Sequence, residues 1–90
     1  MKEIRYSTQF RKDFKRYRGQ PQKIKLLEAL LNYLANDIPI PASYVPHMLH
    51  GKYEGCMECH IQGDYLLIWY DESSDSILLQ RLGSHSELFK

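Results

Sequence analysis

The spacing of apolar residues divides the chain into a helical first half and a stranded second half. Phe10, Phe14 and Tyr17 recur at i, i+4 and i+7, which predicts an amphipathic helix over residues 8–18. Ser7 is a favourable N-cap for that helix, and Gly19 is expected to end it. The helix should therefore bury one apolar stripe against the rest of the protein.

A second helix is predicted over residues 21–35. Pro21 is a favoured residue in a first helical turn, and one face of the segment carries the apolar residues Ile24, Leu27, Leu30, Leu31 and Leu34. The two helices should form a hairpin that covers one face of a sheet. Residues 36–46 contain three prolines and are expected to form an extended loop.

Strand patterns flank this helical hairpin. A short strand is predicted at residues 2–7, and three more at 54–62, 65–70 and 76–82. The nearly continuous apolar run at 65–70 is typical of a strand that is buried on both faces. Turns are expected at 62–64 and 71–75, and the tail 83–90 should contain one helical turn beginning at Ser84.

These elements predict a single α+β domain over residues 1–90. The expected order is β-α-α-β-β-β, with a mostly antiparallel sheet and a helical hairpin packed on one face. The composition, 43% hydrophobic and 26% charged, is typical of an ordinary soluble globular protein.

Charge is distributed unevenly, although the net charge is only +1. Residues 1–25 hold nine basic and two acidic residues, whereas residues 26–90 hold three basic and nine acidic residues. A basic segment of this kind can contact a polyanion such as a nucleic acid, and a solvated helix face explains it equally well. The candidate contact residues are Lys12, Lys15, Arg16 and Arg18.

Nothing in the sequence predicts export or membrane insertion. The first residues lack the apolar run of a signal peptide, and no stretch approaches the roughly 18 apolar residues of a membrane helix. We therefore expect a cytoplasmic protein that contacts no membrane and keeps Cys56 and Cys59 reduced.

The segment Cys56-Met-Glu-Cys59-His60 has the spacing of a covalent haem site, but the two thiols should not converge. Side chains alternate along a strand, so Cys56, Glu58 and His60 share one face and Cys59 takes the other. We expect two buried cysteines with no haem, no metal site and no cofactor. A zinc site made from Cys56, His60 and another histidine stays conceivable.

All four histidines lie in the second half of the chain, and three of them stand where strand ends and turns could bring them together. His60 and Glu58 share a strand face, Asp64 lies across a tight turn, and His85 follows the last strand. His47 lies just after the proline-rich loop. Two imidazoles in one cleft could act as general base and general acid on a phosphodiester, although histidines at such places are often only surface or packing residues.

At these residues the chain resembles the YafQ branch of the RelE-type toxins. The resemblance covers nearly the whole chain and is most specific in its ending, Gly-Ser-His85-Ser-Glu-Leu-Phe89. It also includes the run from His47 to Tyr53 and the segment from Asp64 to Tyr70. Glu58 departs from the pattern, because this acidic position is often aspartate in that branch, and the longer side chain shifts the reach of the carboxylate by one methylene.

The resemblance implies a bacterial type II toxin. Such a toxin is an mRNA interferase that cleaves message in the ribosomal A site without a metal, by attack of the 2′-hydroxyl on the adjacent phosphate. It also implies a cognate antitoxin, and therefore a hetero-oligomer, with the 70S ribosome and mRNA as further partners. The residues that match the functional positions of the family are His47, His60, Asp64, His85 and Phe89, and Glu58 fills its acidic position with the longer side chain.

Roles for these residues follow as expectations. His85 is the candidate general acid, and either His47 or His60 is the general base. Arg81 on the last strand could neutralise the phosphate in the transition state, and Phe89 could stack on a base. A non-catalytic module that binds RNA or protein on the same fold remains the alternative function.

Overall fold

The computed structural model describes residues 1–72 and 75–89. Its elements, in chain order, are β1 (Glu3–Tyr6), α1 (Thr8–Lys15), α2 (Pro21–Ala35), β2 (His47–Met48), β3 (Met57–Gln62), β4 (Tyr65–Asp71), β5 (Ser76–Gly83) and α3 (His85–Leu88). Two short 3₁₀ turns, Ala42–Tyr44 and Gly51–Tyr53, flank β2.

The five strands form one sheet in the order β1-β5-β4-β3-β2. The pair β1–β5 is parallel, and the other three pairs are antiparallel. The predicted α+β class with a mostly antiparallel sheet is therefore confirmed. The strand β4 lies in the centre, and its residues from Tyr65 to Trp69 are all buried as the apolar run predicted, whereas Tyr70 at the end of that run is 42% exposed.

The helical hairpin covers one face of this sheet. Phe10 of α1 and Leu27, Leu30 and Leu34 of α2 join a core cluster with buried residues of β3, β4 and β5. The opposite face carries a smaller apolar cluster, which consists of Cys56, Leu66, Ile68 and Leu88. Within the described residues, this second face, called the open face below, is covered by α3 and the loop before β3 rather than by the helical hairpin.

The first helix is shorter than the spacing predicts. The hydroxyl of Ser7 accepts a hydrogen bond from the backbone N–H of Phe10, as expected of an N-cap. The helix ends at Lys15 rather than near Gly19, because the N–H of Tyr17 binds the carbonyl of Phe14 and tightens the chain into turns.

The structure also contains one strand that was not predicted, and one predicted strand begins later than expected. The strand β2 lies in a segment where none was predicted, because two residues are too few to show an alternating pattern. The strand β3 begins at Met57 rather than at residue 54, because Gly55 has φ +87° and the N–H of Cys56 bonds to the carbonyl of Tyr53. The predicted turn at 71–75 lies partly outside the described residues.

The predicted helical turn of the tail is present as α3 and is closed by a capping box. The hydroxyl of Ser84 accepts from the backbone N–H of Glu87, and the carboxylate of Glu87 accepts from the backbone N–H of Ser84. Gly83 is essential here because it has φ +152° and an added Cβ would lie 2.5 Å from Oε1 of Glu87. The same carboxylate oxygen accepts a hydrogen bond of 2.7 Å from the hydroxyl of Tyr17, which ties α3 to the segment after α1.

The two cysteines are buried and unbridged, as the strand alternation predicted. Cys59 lies in the helix-covered core and Cys56 in the cluster on the other face. Burial raises the pKa of the Cys59 thiol to about 12, so it stays protonated at neutral pH. In the described part of the chain, no helix combines the length and apolar character needed to cross a membrane.

Candidate active site

Three histidines gather at the end of the sheet where β2, β3 and α3 meet. The ring centroids of His47 and His60 lie 6.3 Å apart, and those of His60 and His85 lie 5.7 Å apart. His60 therefore occupies the middle of a row of three imidazoles. The fourth histidine, His50, pairs with exposed Glu54 instead.

His60 is oriented by the hairpin turn that follows it. Its Nδ1 lies 3.2 Å from the carbonyl oxygen of Gly63, which has φ +53° in the two-residue loop between β3 and β4. A carbonyl oxygen can only accept, so Nδ1 carries the proton of the neutral ring. The Nε2 atom of His60 then holds the free lone pair.

His85 is oriented by Asp64 from the same turn. One carboxylate oxygen, Oδ1, lies 2.8 Å from Nδ1 of His85 and accepts a second hydrogen bond of 2.9 Å from the backbone N–H of His85. These contacts lower the pKa of Asp64, chiefly through the backbone N–H and then through the imidazole. Asp64 is therefore an ionised acceptor at neutral pH, and Nε2 of His85 is left to exchange a proton.

His47 is held on both sides. Its Nδ1 lies 2.8 Å from the carbonyl oxygen of Val45, and its Nε2 lies 3.1 Å from Oε1 of Glu58. The carbonyl of Val45 can only accept, so Nδ1 donates to it, and Nε2 faces the carboxylate of Glu58. Both ring nitrogens of His47 are therefore engaged by protein groups.

Glu58 is the unusual member of the cluster. Its register partner across the sheet is His47, and its side chain is only 3% exposed. The second carboxylate oxygen, Oε2, is buried and has no hydrogen-bond partner within the described residues. A buried polar atom without a partner is costly, which is typical of a site built for a ligand or a reaction.

Aromatic residues continue the row beyond His85. The ring of Phe89 lies 5.9 Å from that of His85 and 5.6 Å from that of Tyr53. Phe89 is 42% exposed, so its ring is available for stacking. The hydroxyl of Tyr53 donates to the carbonyl of Leu88, which fixes the end of α3 beside the cluster.

Arg81 lies beside the site but is engaged with protein groups. Its Nε and Nη2 donate to the buried carboxylate of Asp13 at 2.7 and 3.2 Å, and its Nη1 donates to the hydroxyl of Tyr53 at 2.9 Å. The Asp13 contact raises the pKa of the guanidinium, so Arg81 is a fixed cation. A direct contact between Arg81 and phosphate remains a prediction. In the structure Arg81 is linked to the site through the hydroxyl of Tyr53, whose ring contacts Phe89.

The four basic candidates lie on or just after α1, and the structure does not bring them together with the histidines. Lys12, Lys15 and Arg18 are exposed, and the last two line a cleft of about 420 Å³ between α1 and α2. Arg16 differs, because its guanidinium approaches Glu87 at 3.5 Å and Asp13 at 3.6 Å. Arg16 therefore connects the basic surface to the tail that carries His85.

The sequence does not reveal the groups that orient the imidazoles. The carbonyls of Val45 and Gly63 act through the backbone, so their residue types carry no chemical signal. Val45 has φ +50°, an unusual conformation for a β-branched residue that no pattern in the sequence predicts. Residue type does not distinguish Tyr53, whose ring contacts Phe89 at the site, from Tyr65, which is buried in the core beside Tyr17.

Comparison with known proteins identifies relatives that span the whole chain. The sequence model of the YafQ family, described as bacterial toxins of type II toxin–antitoxin systems, matches residues 2–90. The mRNA interferase toxin YafQ of Escherichia coli strain K12 is 33% identical over 90 residues, which covers 98% of this chain and 96% of that protein.

Solved structures agree with this relationship. The toxin in the E. coli DinJ–YafQ complex superposes with a TM-score of 0.86 at 31% identity, and the match covers both chains completely. A metal-bound toxin from Helicobacter pylori superposes with a TM-score of 0.87 at 37% identity, over 99% of this chain and all of that one.

The protein is therefore a toxin of the type II toxin–antitoxin class. Within that class, the chain belongs to the YafQ family. The resemblance inferred from the sequence is confirmed, as is the prediction of an endoribonuclease at the level of the family, since the curated relatives carry the name of mRNA interferases.

Proposed function

We propose that this chain is a ribosome-dependent mRNA interferase that cleaves message in the A site by histidine acid–base chemistry, without a metal cofactor. The observation that carries the proposal is the matched setting of His60 and His85. Each ring has its Nδ1 held by an acceptor of the β3–β4 turn, and the two ring centroids are 5.7 Å apart. Both Nε2 atoms can therefore face one phosphodiester.

In this mechanism His60 is the general base and His85 the general acid. The Nε2 lone pair of His60 takes the proton of the 2′-hydroxyl, whose oxygen attacks the adjacent phosphorus. Protonated Nε2 of His85 gives its proton to the departing 5′-oxygen, which leaves a 2′,3′-cyclic phosphate and a free 5′-hydroxyl. Asp64 supports the reaction by holding His85 in place and balancing its charge.

The remaining candidate residues supply positive charge near the phosphate and position the RNA. His47, paired with Glu58, brings positive charge toward the phosphate when both of its nitrogens are protonated. Arg81 holds Tyr53 and adds its fixed charge behind the site, and Phe89 stacks on a base next to the scissile bond. This arrangement favours His60 over His47 as the base, because both nitrogens of His47 are already occupied.

Binding to the ribosome is assigned to Lys12, Lys15, Arg16 and Arg18 on the helical hairpin. These residues offer positive charge to ribosomal RNA, so the affinity should fall steeply as salt rises. A cognate antitoxin is the expected protein partner, since the related E. coli toxin YafQ has been solved in complex with DinJ. The native form in the cytoplasm would then be a hetero-oligomer with that antitoxin.

The test is mRNA cleavage on programmed ribosomes, mapped by primer extension. Native protein should cut within A-site codons, and His60→Ala and His85→Ala should each lower the rate by about 10²–10⁴, the usual contribution of a general acid or base. His50→Gln is the control, since His50 pairs with Glu54 outside the row. Full activity in both alanine variants would overturn the mechanism, and no cleavage by folded native protein would favour a non-catalytic binding module.

A further inference from the structure

A second cleft lies on the open face of the sheet. It has a volume of about 460 Å³ and is bounded by the loop before β3 and by the strands β4 and β5. Proteins that bind single-stranded RNA combine aromatic rings, which stack on bases, with cationic side chains, which bind phosphates. The residues that line this cleft provide both kinds of group, and they are Lys52, Tyr53, Glu54, Cys56, Tyr70 and Gln80.

Tyr53 connects this cleft to the candidate active site. Its ring lies 5.6 Å from that of Phe89, nearly perpendicular to it at 89°, and the ring of Phe89 lies 5.9 Å from that of His85. The hydroxyl of Tyr53 is fixed at the same time, because it accepts a hydrogen bond from Arg81 and donates one to the carbonyl of Leu88. One wall of the cleft is therefore held against the helix that carries His85.

The order of these rings gives the cleft a direction along the RNA. In the proposed function His85 protonates the 5′-oxygen of the nucleotide that follows the cut, and Phe89 stacks on a base beside the scissile bond. Phe89 and then Tyr53 extend the row from His85, on the side away from His60. The message that runs in the 3′ direction from the cut would therefore pass Phe89 and reach the cleft next.

We propose that this cleft is a subsite for the second nucleotide on the 3′ side of the scissile phosphate, with the base stacked on Tyr70 and the phosphate bound by Lys52. The direction along the message rests on the proposed function, whereas the capacity to bind a nucleotide rests on the cleft itself.

Tyr70 has the exposure that stacking requires. It ends the apolar run of β4 and is 42% exposed, whereas the five residues before it are buried. An exposed aromatic ring on a sheet is the platform on which several RNA-binding domains stack a base. The side-chain amide of Gln80, on the neighbouring strand, has no hydrogen-bond partner among the described residues. It therefore offers a donor and an acceptor to the edge of the stacked base.

Lys52 supplies a cation that forms no ion pair with a carboxylate of the described residues. Its Nζ lies 5.4 Å from the centroid of the Tyr53 ring, so positive charge adjoins the aromatic wall. Glu54 lines the rim but is engaged within its own turn. Its Oε1 accepts from the backbone N–H of Gly51 at 3.4 Å, and its Oε2 lies 3.6 Å from Nδ1 of His50. A phosphate can therefore approach Lys52 without displacing an ion pair.

The test measures the affinity of the toxin for programmed ribosomes whose message carries a 2′-deoxynucleotide at the cleavage site, so that binding is separated from cleavage. An abasic residue at the second nucleotide after this site should weaken the binding of native protein by about 5–100-fold, the usual contribution of one base–aromatic stack. An abasic residue several nucleotides further downstream is the control and should have no effect. Equal affinities for the intact and the abasic message would overturn the subsite.

Substitutions test whether Tyr70 is the stacking partner. Tyr70→Ala should bind the intact message about 5–100-fold more weakly than native protein, and the abasic residue should then cause no further loss. Tyr70→Phe keeps the ring and should behave like native protein. Tyr6→Ala is the matched control, because Tyr6 is 45% exposed but stacks on Phe10 of α1. It should keep the whole abasic penalty, and a full penalty in Tyr70→Ala would overturn the assignment.

The salt dependence of binding tests the phosphate contact. Lys52→Gln should reduce the slope of log affinity against log salt by about 0.7, the value for one phosphate contact on a single strand. Lys25→Gln, at an exposed position of α2, should leave the slope unchanged. A native slope in Lys52→Gln would overturn the contact.

Cleavage separates this inference from the proposed function. On a cleavable message Tyr70→Ala should raise the toxin concentration that gives half the maximal rate and leave the maximal rate unchanged, because Tyr70 touches no reacting atom. Native protein that shows the abasic penalty but cleaves no message would refute the proposed function, and the subsite would stand. Native protein that cleaves message without an abasic penalty would refute the subsite alone. If Tyr70→Ala bound message normally but lost affinity for its antitoxin, the cleft would belong to a protein partner instead.

Discussion

Two carboxylates are buried within the described residues, and their surroundings are opposite. Asp13 lies on α1 where the helix meets β5, and Glu58 lies on β3 at the edge of the open sheet face. Asp13 is 0% exposed and Glu58 is 2% exposed, so both lose nearly all of their hydration. The two regions therefore differ in how they accommodate a buried carboxylate.

Asp13 is fully compensated. Its two oxygens accept hydrogen bonds from Arg81, from the backbone N–H of Leu82 and from the side chain of Gln9. Glu58 has one imidazole against one oxygen and no partner at the other. The carboxylate of Asp13 stabilises the junction of helix and sheet. The carboxylate of Glu58 keeps one unpaired oxygen, Oε2, beside the histidines.

This contrast offers a criterion other than residue type for distinguishing a structural charge from a candidate functional one. A network in which every donor and acceptor is paired specifies a fold, and a partly unpaired one signals either strain or a missing ligand. The largest expected effect of mutation on stability is therefore at Asp13, and the largest functional consequence is at the open face.

The largest loss of stability is expected for Asp13→Ala, which leaves the guanidinium of Arg81 without its carboxylate partner. Removing one member of a buried ion pair typically costs about 3–5 kcal/mol, which would lower Tm by roughly 12 °C or more in a domain of this size. Urea and thermal unfolding measure the effect. Asp71→Ala is the control, since its partly exposed pair with Lys2 should contribute less than about 1 kcal/mol. Equal unfolding midpoints for native protein and Asp13→Ala would refute the structural role.

The second substitution, Glu58→Gln, keeps the shape of the side chain and removes its charge. Stability should change by less than about 1 kcal/mol, because the lost contact with His47 is offset by relief of an unpaired buried charge. Ribosomal mRNA cleavage should fall by about 10²-fold, since His47 loses its counter-charge. Exposed Glu54→Gln serves as the control for both measurements. A stability loss as large as that of Asp13→Ala would show that Glu58 is structural instead.

Local sequence signals predict most of the fold and part of the candidate site. Both helices, the central strand and the capping turn of α3 follow from local signals such as Ser7, Ser84 and the apolar run of β4. The open-face histidines were expected to meet because strand alternation and the turn at Gly63 restrict where they can lie. The family resemblance then connected the residues to a class of chemistry.

Other parts of the site depend on contacts that no local pattern encodes. The pairing of His47 with Glu58 requires the two-residue strand β2, and the partners of Arg81 come from α1 and the loop before β3. The sequence therefore predicts Arg81 as a site residue from its charge and position. It does not predict the hydrogen bonds of Arg81 to Asp13 and Tyr53. The proposal of His60 rather than His47 as base likewise rests on the positions of two backbone carbonyls.

Glu87 is a partly exposed carboxylate that links the two regions, so we expect its effect on stability to be smaller than that of Asp13. Its side chain is 31% exposed and accepts from the backbone N–H of Ser84 and from the hydroxyl of Tyr17. The Ser84 contact, followed by the Tyr17 contact, lowers the pKa of Glu87 below its ordinary value of 4.5. Folding therefore favours the ionised form, and protonation should loosen α3 from the segment that follows α1.

The sign of the pH dependence follows from that lowered pKa. The stabilisation should be fully present above about pH 4.5, the ordinary pKa, and should disappear as pH falls through the lowered folded-state value. At pH 7 Glu87→Gln should cost on the order of 1 kcal/mol after allowance for solvent screening. Urea unfolding from pH 7 to pH 3 should show native protein and the variant converging at the acid end, while Glu54→Gln parallels native protein throughout. A difference that persists unchanged at pH 3 would mean that Glu87 acts through packing rather than charge.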